Sequence, residues 1–297
     1  MKYAKRILLG LAAVIVLVVA AAIVIASSID INGYKDAIAA EIEAATGRKV
    51  TIAGKLEKSV LTFSPAIAAH DVSLANVSWG SRPNMITAKR VEVSVDLMPL
   101  LTGTIRIRRF VLVGADILLE TDGKGHFNWN LASGGAKAAA PARAGIAEVT
   151  VRGTTLTFRD GRTKLMSVVK IDEIEARSPG RNSPISLSTK ADYQGVPLTT
   201  AGTLGSIAAL TSGTKAYPVD LKVRFGESDV AVKLNADLSG PAPLVTGTVT
   251  GKELDIDQVT STVRGGRKKQ ATGRLFPATP LPVGFLHAAN GEVDVTL

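Results

Sequence analysis

The side chains able to do acid-base or metal chemistry are few and scattered along this chain. Its three histidines, His70, His126 and His287, each stand alone, outside any helical three- or four-residue spacing that would bring two metal ligands together. Asp172, Glu173 and Glu175 would hold a cation only if they shared a face, and the two-residue period of a strand sends Asp172 and Glu173 to opposite sides. Asp122-Gly-Lys-Gly125 has the glycine content of a phosphate cradle but lacks the Gly-Lys-Ser/Thr ending of a nucleotide loop, and it reads as a turn. There is no Gly-x-Ser-x-Gly elbow and no dinucleotide fingerprint, and the absence of cysteine removes thiol catalysis and disulfides. The expectation is a protein that is not an enzyme and carries no metal or cofactor.

Charge excludes a further class. The net charge is +9, with Lys2, Lys5 and Arg6 at the N-terminal tip and the rest interspersed with acids. Arg106-Ile-Arg-Arg109 and Arg264-Gly-Gly-Arg-Lys-Lys269 have the charge to touch phosphates. Aromatic residues make up only 4% of the chain and do not interleave with these clusters, so nucleic acid is not expected as a partner.

The elements around these residues are more informative. Residues 1–6 form a basic tip, and residues 7–26 (Ile7 to Ala26) carry no charge. As a helix, that run would span about 30 Å, a bilayer's hydrocarbon thickness. Lys2, Lys5 and Arg6 place the N-terminus in the cytoplasm and the bulk of the chain across the membrane. The rival, a cleaved signal peptide, fits less well, because the run exceeds an ordinary h-region and Val24-Ile25-Ala26 is a poor cleavage site. Asp30 to Gly47 then reads as a short amphipathic helix, with Ile31, Tyr34, Ile38 and Ile42 on one side and Lys35, Asp36, Glu41 and Glu43 on the other. Gly47 is its C-terminal stop.

From Lys49 the hydrophobic period falls to two, and strands are expected to the end of the chain. Val91, Val93, Val95 and Leu97 form one face of the clearest strand, with Glu92, Ser94 and Asp96 on the other. The valine face is expected to be sheltered and the acidic face outside. Val149 and Val151, Leu221, Val223 and Phe225, and Val230 and Val232 repeat the pattern. Asp122-Gly123 and Asp160-Gly161 supply turns where φ must become positive, and the order suggests an antiparallel meander. Arg109-Phe110 interrupts the alternation of residues 104–113 as a β-bulge would. Residues 132–145, rich in Ala and Gly with no large apolar side chain, read as a flexible linker or loop between a segment at 27–131 and a longer β-rich segment at 146–297 that breaks off in mid-pattern. Trp129, between Asn128 and Asn130, reads as an aromatic plug at the end of a hairpin.

The fold class is therefore mainly β with N-terminal helices: a transmembrane helix, a short amphipathic helix, and a curved, mostly antiparallel sheet. An apolar strand face must be covered by a second layer, curl on itself, or form a groove for an apolar ligand. Alternation alone does not choose among these, since the core of a β-sandwich gives the same pattern.

The order of pieces resembles the N-terminal region of the AsmA family. The resemblance rests on the N-terminal apolar run, Thr46-Gly47-Arg48-Lys49-Val50, Asp71-Val72-Ser73-Leu74-Ala75-Asn76, Leu97-Met98-Pro99-Leu100-Leu101-Thr102-Gly103, Ile105-Arg106-Ile107 and Gly125-His126-Phe127-Asn128-Trp129, over residues 1–131. It implies an inner-membrane anchor and a periplasmic β-groove that binds or conducts phospholipid acyl chains. Under it, Val91, Val93, Val95, Leu97, Val149, Val151, Leu221, Val223, Phe225, Val230 and Val232 are the groove candidates. Partners would be the inner membrane, phospholipid and other envelope-assembly proteins. The alternative is a scaffold that guides outer-membrane proteins by adding strands to a sheet edge.

Overall fold

The computed structural model describes residues 30–59, 64–96, 107–131, 147–240, 243–253 and 290–296. The expected membrane segment at 7–26, Leu97, the linker at 132–145, His287 and the basic cluster at 264–269 lie outside them. Among the described residues no helix is long and apolar enough to cross a membrane.

Asp30 Oδ1 accepts the Asn32 backbone N–H at 2.9 Å and starts a 3-10 turn, Ile31–Tyr34, which leads into α1 (Lys35–Thr46). Gly47, at φ 67°, stops α1 and donates its N–H to Glu43 O. The expected apolar stripe is only partly used, since Tyr34 and Ile42 remain exposed. A second short helix, α2 (Ile207–Ser212), is capped by the Ser206 hydroxyl.

Among the described residues, everything else of regular structure is one open sheet of thirteen strands. In chain order these are β1 (Val50–Ile52), β2 (Leu56–Ser59), β3 (Ala66–Ala75), β4 (Asn84–Val95), β5 (Ile107–Glu120), β6 (Glu148–Arg159) and β7 (Met166–Arg177). β8 (Pro184–Tyr193), β9 (Val196–Ser206), β10 (Tyr217–Phe225), β11 (Ser228–Asp237), β12 (Leu244–Glu253) and β13 (Asn290–Thr296) follow. From β3 onward each strand pairs with the next; β1 and β2 both pair with β3. The strands on either side of the expected linker pair with each other, so a single sheet runs through both β-segments.

The meander expectation needs correction at two joints. β5 pairs with β6 in parallel, and so does β12 with β13, which makes the sheet mixed. A parallel joint cannot be closed by a hairpin, because the chain must return to the strand's starting end, and both joints carry long connections. The turns also differ in detail. Positive φ falls on Gly125 and Lys164, three or four residues beyond Asp122 and Asp160. Between Ser94 and Val95 the β4–β5 register slips by one, so that Ser94 faces Arg109, Val95 faces Ile107 and Arg108 is the extra residue.

A second irregularity crosses five strands at one level. Asp71 in β3, Gly114 in β5 and Gly153 in β6 have φ of 51°, 61° and 57°. The flanking register aligns them with Lys89 in β4 and with Asp172 in β7, and Asp172 is itself the extra residue in the β7–β8 pairing. A left-handed residue breaks two-residue alternation, and here the phase of the side chains changes on either side of the line.

Candidate apolar groove

Because residues paired across a sheet point to the same side, the registers reveal which distant side chains share a face. One unbroken row runs Ile67, Val93, Phe110, Val149, Ala176, Leu187, Gly202, Leu221, Val232 and Val249, from β3 to β12. A neighbouring row runs Ala69, Val91, Leu112, Val151, Ile174, Thr189, Thr200, Val223, Val230 and Gly251 through the same registers. At about 4.8 Å per strand, ten strands extend about 43 Å.

A third row, Leu74, Ile86, Ile117, Leu156, Val169, Tyr193 and Val196, lies across the irregular line. Tyr193 and Thr189 are four apart in the regular strand β8 and share a face, so Leu156 shares a face with Val151, five residues away in β6. Strict alternation would forbid that, and Gly153 between them absorbs the phase change. The Tyr193 and Phe225 rings, 6.4 Å apart, join this row to the end of β10.

The opposite face is polar. A parallel row reads Ser94, Arg109, Glu148, Arg177, Ser186, Thr203, Asp220, Lys233 and Thr248. Ion pairs cross it: Arg152 to Glu173 at 2.8 Å, Arg177 to Glu175 at 3.2 Å and Arg224 to Asp229 at 3.2 Å. Glu173 and Glu175 are thus anchors for arginines.

Ten of the eleven groove candidates lie on the single apolar face, and Leu97 falls outside the described residues. Their shelter is not as expected. Val91, Val93 and Val95 are half-buried, whereas Glu92 and Ser94 on the opposite face are 8% and 3% exposed. The cause is coverage: Arg90 and Arg109 fold over Glu92 as ion-pair partners, while no second layer lies over the valines among the described residues. α1 packs on β1 and α2 on β9, at the margins of the sheet. Val149, Val151, Leu221, Val223, Phe225, Val230 and Val232 are likewise half-buried, packed sideways against one another and open above.

Phe110, Leu112, Ile174 and Leu187 belong to the same face but were not singled out from sequence. Phe110 and Leu112 sit in an apolar run, residues 110–113, where no alternation is visible. In β7, Ile171 and Ile174 are three apart because of the bulge, which hides the period.

The β5–β6 connection closes one end of the sheet. Asn128 has no exposed surface: its Oδ1 accepts the Glu120 N–H at 2.9 Å, and its Nδ2 donates to Leu118 O at 2.9 Å and to Asn76 Oδ1 at 3.1 Å. Asn76 Nδ2 and Ser81 N both donate to Glu120 Oε1 at 2.8 Å. Burial opposes ionisation of Glu120, but the donors from Ser81 and Asn76 and the charge of Arg159 prevail and lower its pKa. Trp129, beside Asn128, has its ring 4.7 Å from Phe127 and 6.1 Å from Phe158, which is on the apolar side. His126 pairs with Asp122 at 2.7 Å, and His70 with Glu57 at 3.1 Å.

Comparison with known proteins adds a family: the sequence model of the AsmA family matches residues 1–164. No curated protein matches the chain.

Proposed function

We propose, on the premise that this chain belongs to the AsmA family, that it is a non-enzymatic cell-envelope protein whose apolar sheet face receives the acyl chains of phospholipid. The family relation supports a role in envelope lipid handling or outer-membrane assembly. The observation that carries the finer reading is the continuous apolar face from β3 to β12, left without a covering layer among the described residues. Apolar surface in water costs about 25 cal/mol per Å² relative to burial, a cost that hydrocarbon chains would remove. In this reading residues 7–26 anchor the chain in the bacterial inner membrane with the N-terminus in the cytoplasm, and the sheet stands in the periplasm.

Adjacent positions on β10 provide the test. Val223 points to the apolar face and Lys222 to the polar one. A photo-reactive residue at 223 should capture phospholipid in cells, identified by mass spectrometry, and one at 222 should not. Val223→Asp should abolish lipid recovery with the purified protein, while Lys222→Asp should preserve it. Equal capture from both positions, or capture of outer-membrane protein strands in place of lipid, would refute the groove and favour a scaffold.

A further inference from the structure

At the ends of β5 and β6, loops bring Trp79, Glu120, Asp122, Arg159 and Lys164 around a cavity of about 220 Å³. The loops approach closely: a Cβ on Gly161 would lie 2.1 Å from Thr121 O. Two carboxylates and two cations line the cavity, but they are not equivalent. Glu120 is held by Asn76 and Ser81, and Asp122 Oδ1 accepts Lys124 N at 2.8 Å and His126 N at 2.9 Å while Oδ2 meets His126 Nδ1. Burial opposes ionisation of Asp122, yet these donors hold its pKa down at about 2, so it stays charged and engaged.

The cations are less occupied. Arg159 lies 3.8 Å from Glu120 Oε2, whereas every other arginine on a described strand has a carboxylate oxygen within 3.3 Å. Among the described residues Lys164 makes no ion pair, and it is exposed in its turn. A planar guanidinium and an ammonium lining one cavity suit one tetrahedral oxyanion, and with two carboxylates in the same lining a singly charged ester is better matched than a dianion.

What lies next to the cavity suggests what carries that oxyanion. Arg159 faces it from the polar side of β6, and its neighbour Phe158 points to the apolar face, 38% exposed and in contact with Trp129. Two consecutive residues therefore offer a cationic and an apolar contact on either side of one strand end. We infer that this cavity binds the phosphodiester of a phospholipid headgroup through Arg159 and Lys164, with the acyl chains passing Phe158 onto the apolar face. The inference rests on the acyl-chain reading above and adds a headgroup site to it.

The chain's two tryptophans separate the two readings, since Trp79 lines the cavity and Trp129 sits at the apolar lip. In the full chain held in an amphipathic polymer, Trp129→Phe leaves Trp79 as the reporter and Trp79→Phe leaves Trp129. Glycerophosphocholine, the headgroup without tails, should change Trp79 emission only. Dihexanoylglycerol, the tails without phosphate, should change Trp129 emission only, and dihexanoylphosphatidylcholine should change both. Lys164→Gln should weaken the whole lipid about fivefold and leave dihexanoylglycerol unchanged, with Lys164→Arg restoring affinity. No Trp79 response to either phosphate-bearing probe, or no effect of Lys164→Gln, would overturn the headgroup site while leaving the apolar face intact. Inorganic phosphate binding as tightly as the lipid would also overturn it, by assigning the cavity to free phosphate. Failure of dihexanoylglycerol to move Trp129 would count against the acyl-chain reading instead.

Discussion

The strands β3–β7 and β8–β12 have the same kind of apolar face but stand differently in solvent. In the first group Ala68, Met85, Ala88, Ala115, Leu118, Glu92, Ser94, Glu120, Thr150 and Thr154 are buried, whereas the second group buries Ala191, Gly205, Tyr217 and Ser228 and its other described residues are half-buried or exposed. The sheet is one layer in both. The first group gains an interior because arginines fold over its polar face, the phase changes at Asp71, Gly114 and Gly153, and the loop around Asn128 closes one end. A single-layer sheet thus acquires a core only where side chains and loops return over it. Elsewhere, among the described residues, both faces are open, a geometry poorly suited to self-sufficient packing.

The sharpest break of this contrast is at Asn128. Asn128→Ala leaves the Glu120 N–H and the Leu118 carbonyl unpaired in a buried site and should cost about 3 kcal/mol in urea unfolding. Asn235→Ala, at an exposed position of β11, should cost less than about 0.5 kcal/mol. Equal losses would mean that the loop network does not distinguish the two regions.

A smaller effect is expected at the phase change. Nothing lies within 4 Å of a Cβ placed on Gly153, so Gly153→Ala tests φ alone. It should cost about 1–2 kcal/mol, and Gly153→Asn should recover part of that because asparagine tolerates the left-handed region. If alanine is neutral there, the left-handed backbone is not what keeps Val151 and Leu156 on one face.

The smallest effect belongs to the open polar face of the second group. Arg224 and Asp229 are both well exposed, and Asp229→Asn should change stability by no more than about 0.5 kcal/mol, less so with added salt. A larger loss would show that the regular strands depend on their ion pairs and not on ladder hydrogen bonds and lateral apolar contact.

Much of the apolar face is legible in residue spacing alone. Val91, Val93 and Val95 announce a face by their spacing, as do Leu221, Val223 and Phe225, and the structure puts them on the same one. Leu112 and Ile174 were invisible because one lies in a continuous apolar run and the other follows a bulge. The shelter of Glu92 was misjudged because its cover comes partly from Arg109, seventeen residues away. Nothing in the residues around Asn128 marks its burial, because its role depends on Asn76 and on the Glu120 backbone.

The sequence by itself determined that the chain is mainly β, with an apolar and a polar side to each regular strand, because Cβ direction alternates with covalent geometry and needs no partner. Only the tertiary structure decided that those sides align into one face across ten strands, that two joints are parallel, and that the alternation reverses phase at Gly114 and Gly153 without breaking that face. Register and coverage are set by hydrogen bonds and side chains brought together from far along the chain, and a local period of two carries no record of which strand comes to lie beside which.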